Sequence, residues 1–234
     1  MKLTLTSNPA AFRLRTVFMF SLLCVVVQLQ ASVRYVKPVA SGTGDGSSWA
    51  DASDNLQAMI DASGTGDEVW VAAGTYKPTT TNDRSISFVM KNGVAIYGGF
   101  NGTETLLSQR NWVTNVTILS GDIGTVGDNS DNSYHVIFNN NNGLNSTAVL
   151  DGFTITGGKT SGSFGDFGGG MANKSSSPTV SNCIFSGNTS LAGGGMANDA
   201  SSPAVSNCTF SGNSASSQGG GMFNNNNSSP TVSN

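Results

Sequence analysis

Short apolar alternations, punctuated by glycine, serine and asparagine, recur along most of this chain. Val69-Trp70-Val71-Ala72-Ala73-Gly74 sets a scheme of apolar, any, apolar, any, small and Gly, and Val94-Ala95-Ile96-Tyr97-Gly98-Gly99 repeats it. Val116-Thr117-Ile118-Leu119-Ser120-Gly121 follows at a comparable interval, and Phe153-Thr154-Ile155-Thr156-Gly157-Gly158 keeps the same scheme. A period of two, bounded by turn formers, predicts short strands with one buried face. Val33-Arg34-Tyr35-Val36 is expected to be a further strand, followed by a loop over residues 42–48. One stretch differs in period. Residues 51–62 carry Leu56, Met59 and Ile60 at helical spacing, which predicts an amphipathic helix suited to plugging the open end of a stack of strands.

From residue 168 the pattern becomes an explicit repeat. Gly168-Gly169-Gly170-Met171 returns as Gly193-Gly194-Gly195-Met196 and Gly219-Gly220-Gly221-Met222, at spacings of 25 and 26. Ser181-Asn182-Cys183 recurs as Ser206-Asn207-Cys208, and Phe185-Ser186-Gly187-Asn188 as Phe210-Ser211-Gly212-Asn213. A fixed period in the twenties marks a solenoid, whose units bury their apolar faces only by stacking. Leu191 is the one leucine after residue 168, which excludes a leucine-rich repeat, and no 3.6-residue periodicity supports a helical one.

Comparison of the copies orients the side chains. Ile184 becomes Thr209, whereas Cys183/Cys208 and Phe185/Phe210 are unchanged, so the constant pair faces the core and the variable position faces solvent. Val180 and Val205 are also expected inside. The step from Val180 to Cys183 breaks the alternation and demands a corner, placed at Asn182 because asparagine tolerates the left-handed conformation. Strand, Asn corner, strand, Gly-Asn turn and strand within one period predict one rung of a right-handed parallel β-helix. Rungs would stack about 4.8 Å apart. The expected organisation is all-β: a signal peptide over residues 1–31, an N-terminal strand and capping helix over 32–68, and β-helix repeats over 69–234, amounting to six or seven rungs. Both earlier copies continue with cysteine where this chain stops at Asn234, so the solenoid is expected to be truncated there.

The pairing of Gly-Gly-Gly-Met with Phe-Ser-Gly-Asn resembles the GGA(I/L/V) and FxxN repeats of the polymorphic outer membrane proteins. More broadly, the repeats are similar to the secreted bacterial right-handed β-helix proteins of the pectin-lyase-like superfamily. Gly170-Met171 stands where the first motif has a small and then a branched residue. The resemblance implies a β-helix displayed outside the cell or on the outer membrane. It also implies two function classes: an adhesive or structural scaffold, and a polysaccharide-degrading enzyme, either a pectate-lyase-like lyase or a glycoside hydrolase.

Charge narrows the partners. Lys2, Arg13 and Arg15 precede an apolar run over residues 17–27 broken only by Ser21, too short to span a bilayer, and Leu29-Gln30-Ala31 offers a cleavage site. Cys24 follows Leu23, so it is expected to be part of the signal core and not a lipidation site. Loss of that segment removes three of eleven basic residues and none of the fourteen acids, leaving a net charge of −6. Such a surface has no electrostatic basis for nucleic-acid or anionic-membrane binding. After residue 168 the only charges are Lys174 and Asp199, a composition suited to contact with extracellular polysaccharide or a neighbouring cell surface. Asparagine runs at 139–142 and 224–227 are expected to present regular amide donors and acceptors along the solenoid.

Candidate chemistry is sparse. Cys183 and Cys208 lie one period apart and should stack; their parallel side-chain vectors favour thiols, while export to an oxidising compartment favours a disulfide. Asp122, Asp128 and Asp131 share a loop whose spacing fits no calcium motif, so a solvated turn is expected. His135, the sole histidine, is expected at a strand edge, and Asp151 in a turn. The implied lyases need a calcium-binding acidic cluster with a Lys or Arg base, and the implied hydrolases converging aspartates. Arg84, Lys91, Arg110 and Lys159 show no partnered spacing, and the Gly-rich repeats lack the Lys-Ser/Thr of a phosphate loop. No residue is therefore assigned a catalytic, cofactor-binding or metal-binding role, and no cofactor is expected.

Overall fold

A computed structural model describes residues 31–163 and 165–234, so the expected signal segment lies outside the described residues save for Ala31. The alternating segments form strands, and among the described residues the strands pair in parallel with strands of neighbouring turns, as stacking of repeats requires. The strands are β1 (Val33–Val36), β2 (Glu68–Ala72), β3 (Gly74–Tyr76), β4 (Ala95–Phe100), β5 (Thr117–Ser120), β6 (Ile137–Asn140), β7 (Val149–Asp151), β8 (Thr154–Thr156) and β9 (Met171–Lys174). They continue with β10 (Thr179–Ser181), β11 (Ile184–Ser186), β12 (Thr189–Ala192), β13 (Met196–Asp199), β14 (Ala204–Ser206), β15 (Thr209–Ser211), β16 (Ser214–Gln218), β17 (Met222–Asn225) and β18 (Thr231–Ser233).

They stack into a parallel β-helix. Sheet A has the order β1-β2-β4-β7-β10-β14-β18, sheet B β15-β11-β8-β5-β3, sheet C β17-β13-β9-β6, and sheet D β12-β16. Along sheet A, Glu68 pairs with Ala95, Ala95 with Val149, Val149 with Thr179, Thr179 with Ala204 and Ala204 with Thr231. The step from Ala95 to Val149 is about twice as long as the others, and from β2 onward the strands of sheet A mark six turns, at the lower end of the six or seven expected from chain length. The regular turns contain four strands and not three, as in β10 to β13. The expected corner at Asn182 is present, with φ of 53° there and 55° at Asn207. A corner absent from the sequence reading lies at Ser175 and Ala200, at φ of 47° and 49°. Neither residue advertises the left-handed region, which costs such side chains about 1–2 kcal/mol.

The inward columns match the comparison of copies. Met171, Met196 and Met222 are in register on sheet C, and Phe185 stacks on Phe210 with centroids 4.8 Å apart and planes 5° from parallel. In each glycine triplet only the first residue has a positive φ. The last is glycine for a different reason: a Cβ on Gly195 would lie 2.6 Å from the Gly221 carbonyl oxygen, so the close stacking of backbones leaves no room for a side chain. Asparagine also ladders inside. Buried Asn139 donates to Asn173, Asn173 to Asn198 and Asn198 to Asn224, each at 2.9 Å, and Met90 N–H supplies Asn139 Oδ1 at 3.1 Å. The first member of the 139–142 run therefore faces inward and satisfies its neighbours within the core, where the sequence suggests a displayed ladder.

The helix α1 (Leu56–Ala62) begins at Asn55, whose side chain accepts from Ala58 N–H at 2.9 Å. Its buried Leu56 and Ile60 close the N-terminal end of the core beside Phe88, Ile96, Ile137 and Leu150. This is the cap that the helical spacing predicts.

Candidate ligand-binding groove

The long turn between β4 and β7 places one loop on the outside of the corner between sheets A and B. Asn111 N–H donates to the Gly99 carbonyl at 2.7 Å, and Asn115 Nδ2 to the same oxygen at 3.2 Å. Gly99 must be glycine: a Cβ there would stand 2.7 Å from the backbone of Trp112.

Arg110 anchors this loop. Its guanidinium pairs with the Asp151 carboxylate, donates to the Gly98 carbonyl at 3.0 Å, and lies 4.9 Å from the ring centre of Tyr97 and 4.8 Å from that of Trp112. The other oxygen of Asp151 accepts from Ser181 Oγ at 2.5 Å and from Asn182 Nδ2 at 2.8 Å. Asn207 Nδ2 then donates to Asn182 Oδ1 at 2.7 Å, so a polar track runs across three turns. Both carboxylate oxygens of Asp151 are engaged and its pairing is nearly buried, with side chains 9 and 10 % exposed. A charge so placed is structural, since removal of either partner would strand the other.

Beside the track runs a groove of about 270 Å³. One wall is the outward column Thr154, Ile184 and Thr209, in register on β8, β11 and β15. The opposite wall is Trp112, Val113 and Val116, and Gly152 and Cys183 line the bottom. Trp112 is 38 %, Val113 76 % and Ile184 45 % exposed, an unusual concentration for a surface otherwise rich in hydroxyls and amides. A larger cleft of about 610 Å³ lies between the start of α1 and the segment after β3. Its rings, Tyr76 and Phe88, are buried, and the Tyr76 hydroxyl donates to the Ala72 carbonyl at 2.9 Å, so it offers no aromatic platform.

The profile of a family described as "Protein of unknown function (DUF1565)" matches residues 43–234, from the loop before α1 through every later turn. The chain belongs to the DUF1565 family. No curated protein and no solved structure matches it.

In this DUF1565 chain the residues weighed from the sequence are dispersed. Cys183 and Cys208 are free thiols in adjacent turns, their sulfurs 3.1 Å from Ser181 O and 3.2 Å from Ser206 O; burial pushes the Cys183 thiol well up. Asp122 accepts from Gly127 N–H, Asp131 from Thr125 N–H and Asp128 from Ser130 N–H, so each acid closes its own turn. Arg84 donates to Asn132 O and Lys159 O, and Lys91 to Asp61 O and Ser63 O. His135 sits two residues before β6 and is buried, with Nε2 3.1 Å from Asp166 Oδ1. Sequence reasoning missed Trp112 and Asp166. Trp112 sits in the one long turn, where no copy exists for comparison, and Asp166 is a full turn along the chain from the histidine it meets.

Proposed function

We propose that this chain is an exported or surface-displayed β-helix scaffold that binds neutral polysaccharide along the groove beside Trp112. The carrying observation is an exposed indole, held by the Arg110 guanidinium, facing a column of Thr154, Ile184 and Thr209. Sugar rings present apolar faces that pack on an indole and hydroxyls that exchange hydrogen bonds with threonine and asparagine. Strands about 4.8 Å apart repeat those donors and acceptors along the axis, which suits an extended chain better than a compact ligand. The apolar run and cleavage site before residue 32, together with the near-absence of charge after residue 168, support an extracellular setting. The engaged state of Asp151, Arg84 and Lys91 favours binding over cleavage, since none retains a free acid or base.

Binding to a panel of immobilised neutral and uronic-acid polysaccharides tests this. Trp112→Ala should weaken glycan binding about two- to tenfold, in line with about 0.5–1.5 kcal/mol for one aromatic contact, at a temperature where the variant is still folded. Equal binding by both proteins would remove the groove from consideration. Release of reducing or unsaturated ends would put the enzyme class first.

A further inference from the structure

His135 presents both ring nitrogens to acceptors. Nδ1 lies 2.8 Å from the carbonyl oxygen of Gly168, and Nε2 3.1 Å from Oδ1 of Asp166. A neutral imidazole has one N–H and can donate to only one of them; the imidazolium donates to both. The other oxygen of Asp166 accepts from Ser161 N–H at 2.8 Å and from Ser161 Oγ at 2.7 Å. Burial works to raise the Asp166 carboxyl, but hydrogen bonds from His135 and Ser161 outweigh it and hold it at about 2. The carboxylate thus stays ionised throughout the range in which histidines titrate.

The residues tied down in this way cover something. On sheet C the outward column is Phe138, Ala172, Ala197 and Phe223, in register on β6, β9, β13 and β17. Ala172 and Ala197 are only 2 and 5 % exposed although they point away from the core. Phe167 packs edge-on against Phe223 with centroids 5.3 Å apart, and a Cβ on Gly168 would lie 3.0 Å from that of Ala172. Phe167 and Gly168 therefore lie on this column.

We propose that His135 and Asp166 form a proton-dependent clasp, which holds Phe167 and Gly168 over the outer face of sheet C while the ring carries two protons and loosens when it loses one. Cations flank the ring on neighbouring residues, while Asp128 of the preceding loop acts on Lys159. Arg84 lies over Tyr134 and Lys174 over Phe138, at 4.4 and 5.4 Å from the ring centres, and the Lys159 carbonyl accepts from Arg84. Asp166 is the one ion-pair partner of the ring among the described residues. Both signs follow. The depressed carboxyl contributes closure above its ordinary value of 3.8, lost as pH falls through about 2. Loss of one ring proton leaves a single N–H between the two acceptors, so one of the two bonds is lost. Closure therefore needs an ionised Asp166 and a doubly protonated ring together.

Amide hydrogen exchange on the full chain tests the clasp. The reporters are Ser161 N–H, bound to Asp166, and Gly168 N–H, bound to the Ala192 carbonyl at 3.0 Å. After correction for intrinsic exchange, their protection should fall at least tenfold between pH 5.5 and 8.5. His135→Gln, which cannot change charge, should show weak, pH-independent protection at these two amides. Unchanged protection of Thr179 and Ile184 on sheets A and B would show that the variant is folded. Should it fail to fold, Asp166→Asn carries the same expectation. Equal wild-type protection at both pH values, or an equal fall in the folded variant, would overturn the proposal.

Discussion

Phe185 and Ile184 are neighbours on one short strand and live in different solvents. Phe185 has no exposed surface and stacks on Phe210, whereas Ile184 is 45 % exposed. Phe185→Asp should destabilise by at least the roughly 3–5 kcal/mol of a phenylalanine truncation, with an unpaired buried carboxylate added. Ile184→Asp should stay within about 0.5 kcal/mol, as exposed substitutions do. Urea unfolding of the two variants measures both, and equal losses would reverse the assignment of faces. Phe210 is a milder site than its copy, because it is only partly buried. Asn173 carries a different load. Asn173→Leu would leave Asn139 Nδ2 without its acceptor and Asn198 Oδ1 without its donor, costing about 1–3 kcal/mol for each orphaned group. An unmoved urea midpoint would show that the ladder is dispensable.

Elements are positioned by what crosses between them, and Arg110 is the clearest case, tying the loop after β4 to the end of β7. Arg110→Met should cost about 3–5 kcal/mol, because Asp151 would keep a buried charge without its partner. Adding Asp151→Leu should return much of that loss, a non-additivity that a double-mutant cycle on unfolding free energy reads directly. Strands and their buried faces were legible in the sequence because a period-two pattern survives comparison of copies, as at Cys183, Ile184 and Phe185. Assignment to sheets was less so. The segments at Val69 and Val94 belong to sheet A, but those at Val116 and Phe153 lead into β5 and β8 of sheet B. Every side of the coil needs the same alternation, so the pattern cannot name the side. The groove was least legible, since Arg110, which packs on Trp112, meets Asp151 through the one double-length turn, which resembles no other.

The whole molecule is held by nearest-neighbour contacts, so damage should stay where it is made. Limited proteolysis of Phe185→Asp should trim the later turns and leave a resistant fragment beginning near Val33, while loss of the entire chain at one rate would mean that the solenoid unfolds as a single unit. The asparagine ladder adds something that apolar stacking lacks. Methionine over methionine tolerates a slide along the strand, because dispersion has no direction. An amide over an amide does not: all three side-chain bonds from Asn139 to Asn224 run the same way, donor to acceptor, with aligned dipoles that strengthen one another. A turn laid down one residue out of step would point its asparagine outward and leave its neighbour's N–H group unanswered in a dry interior. The core thus carries its own error check, read once per turn.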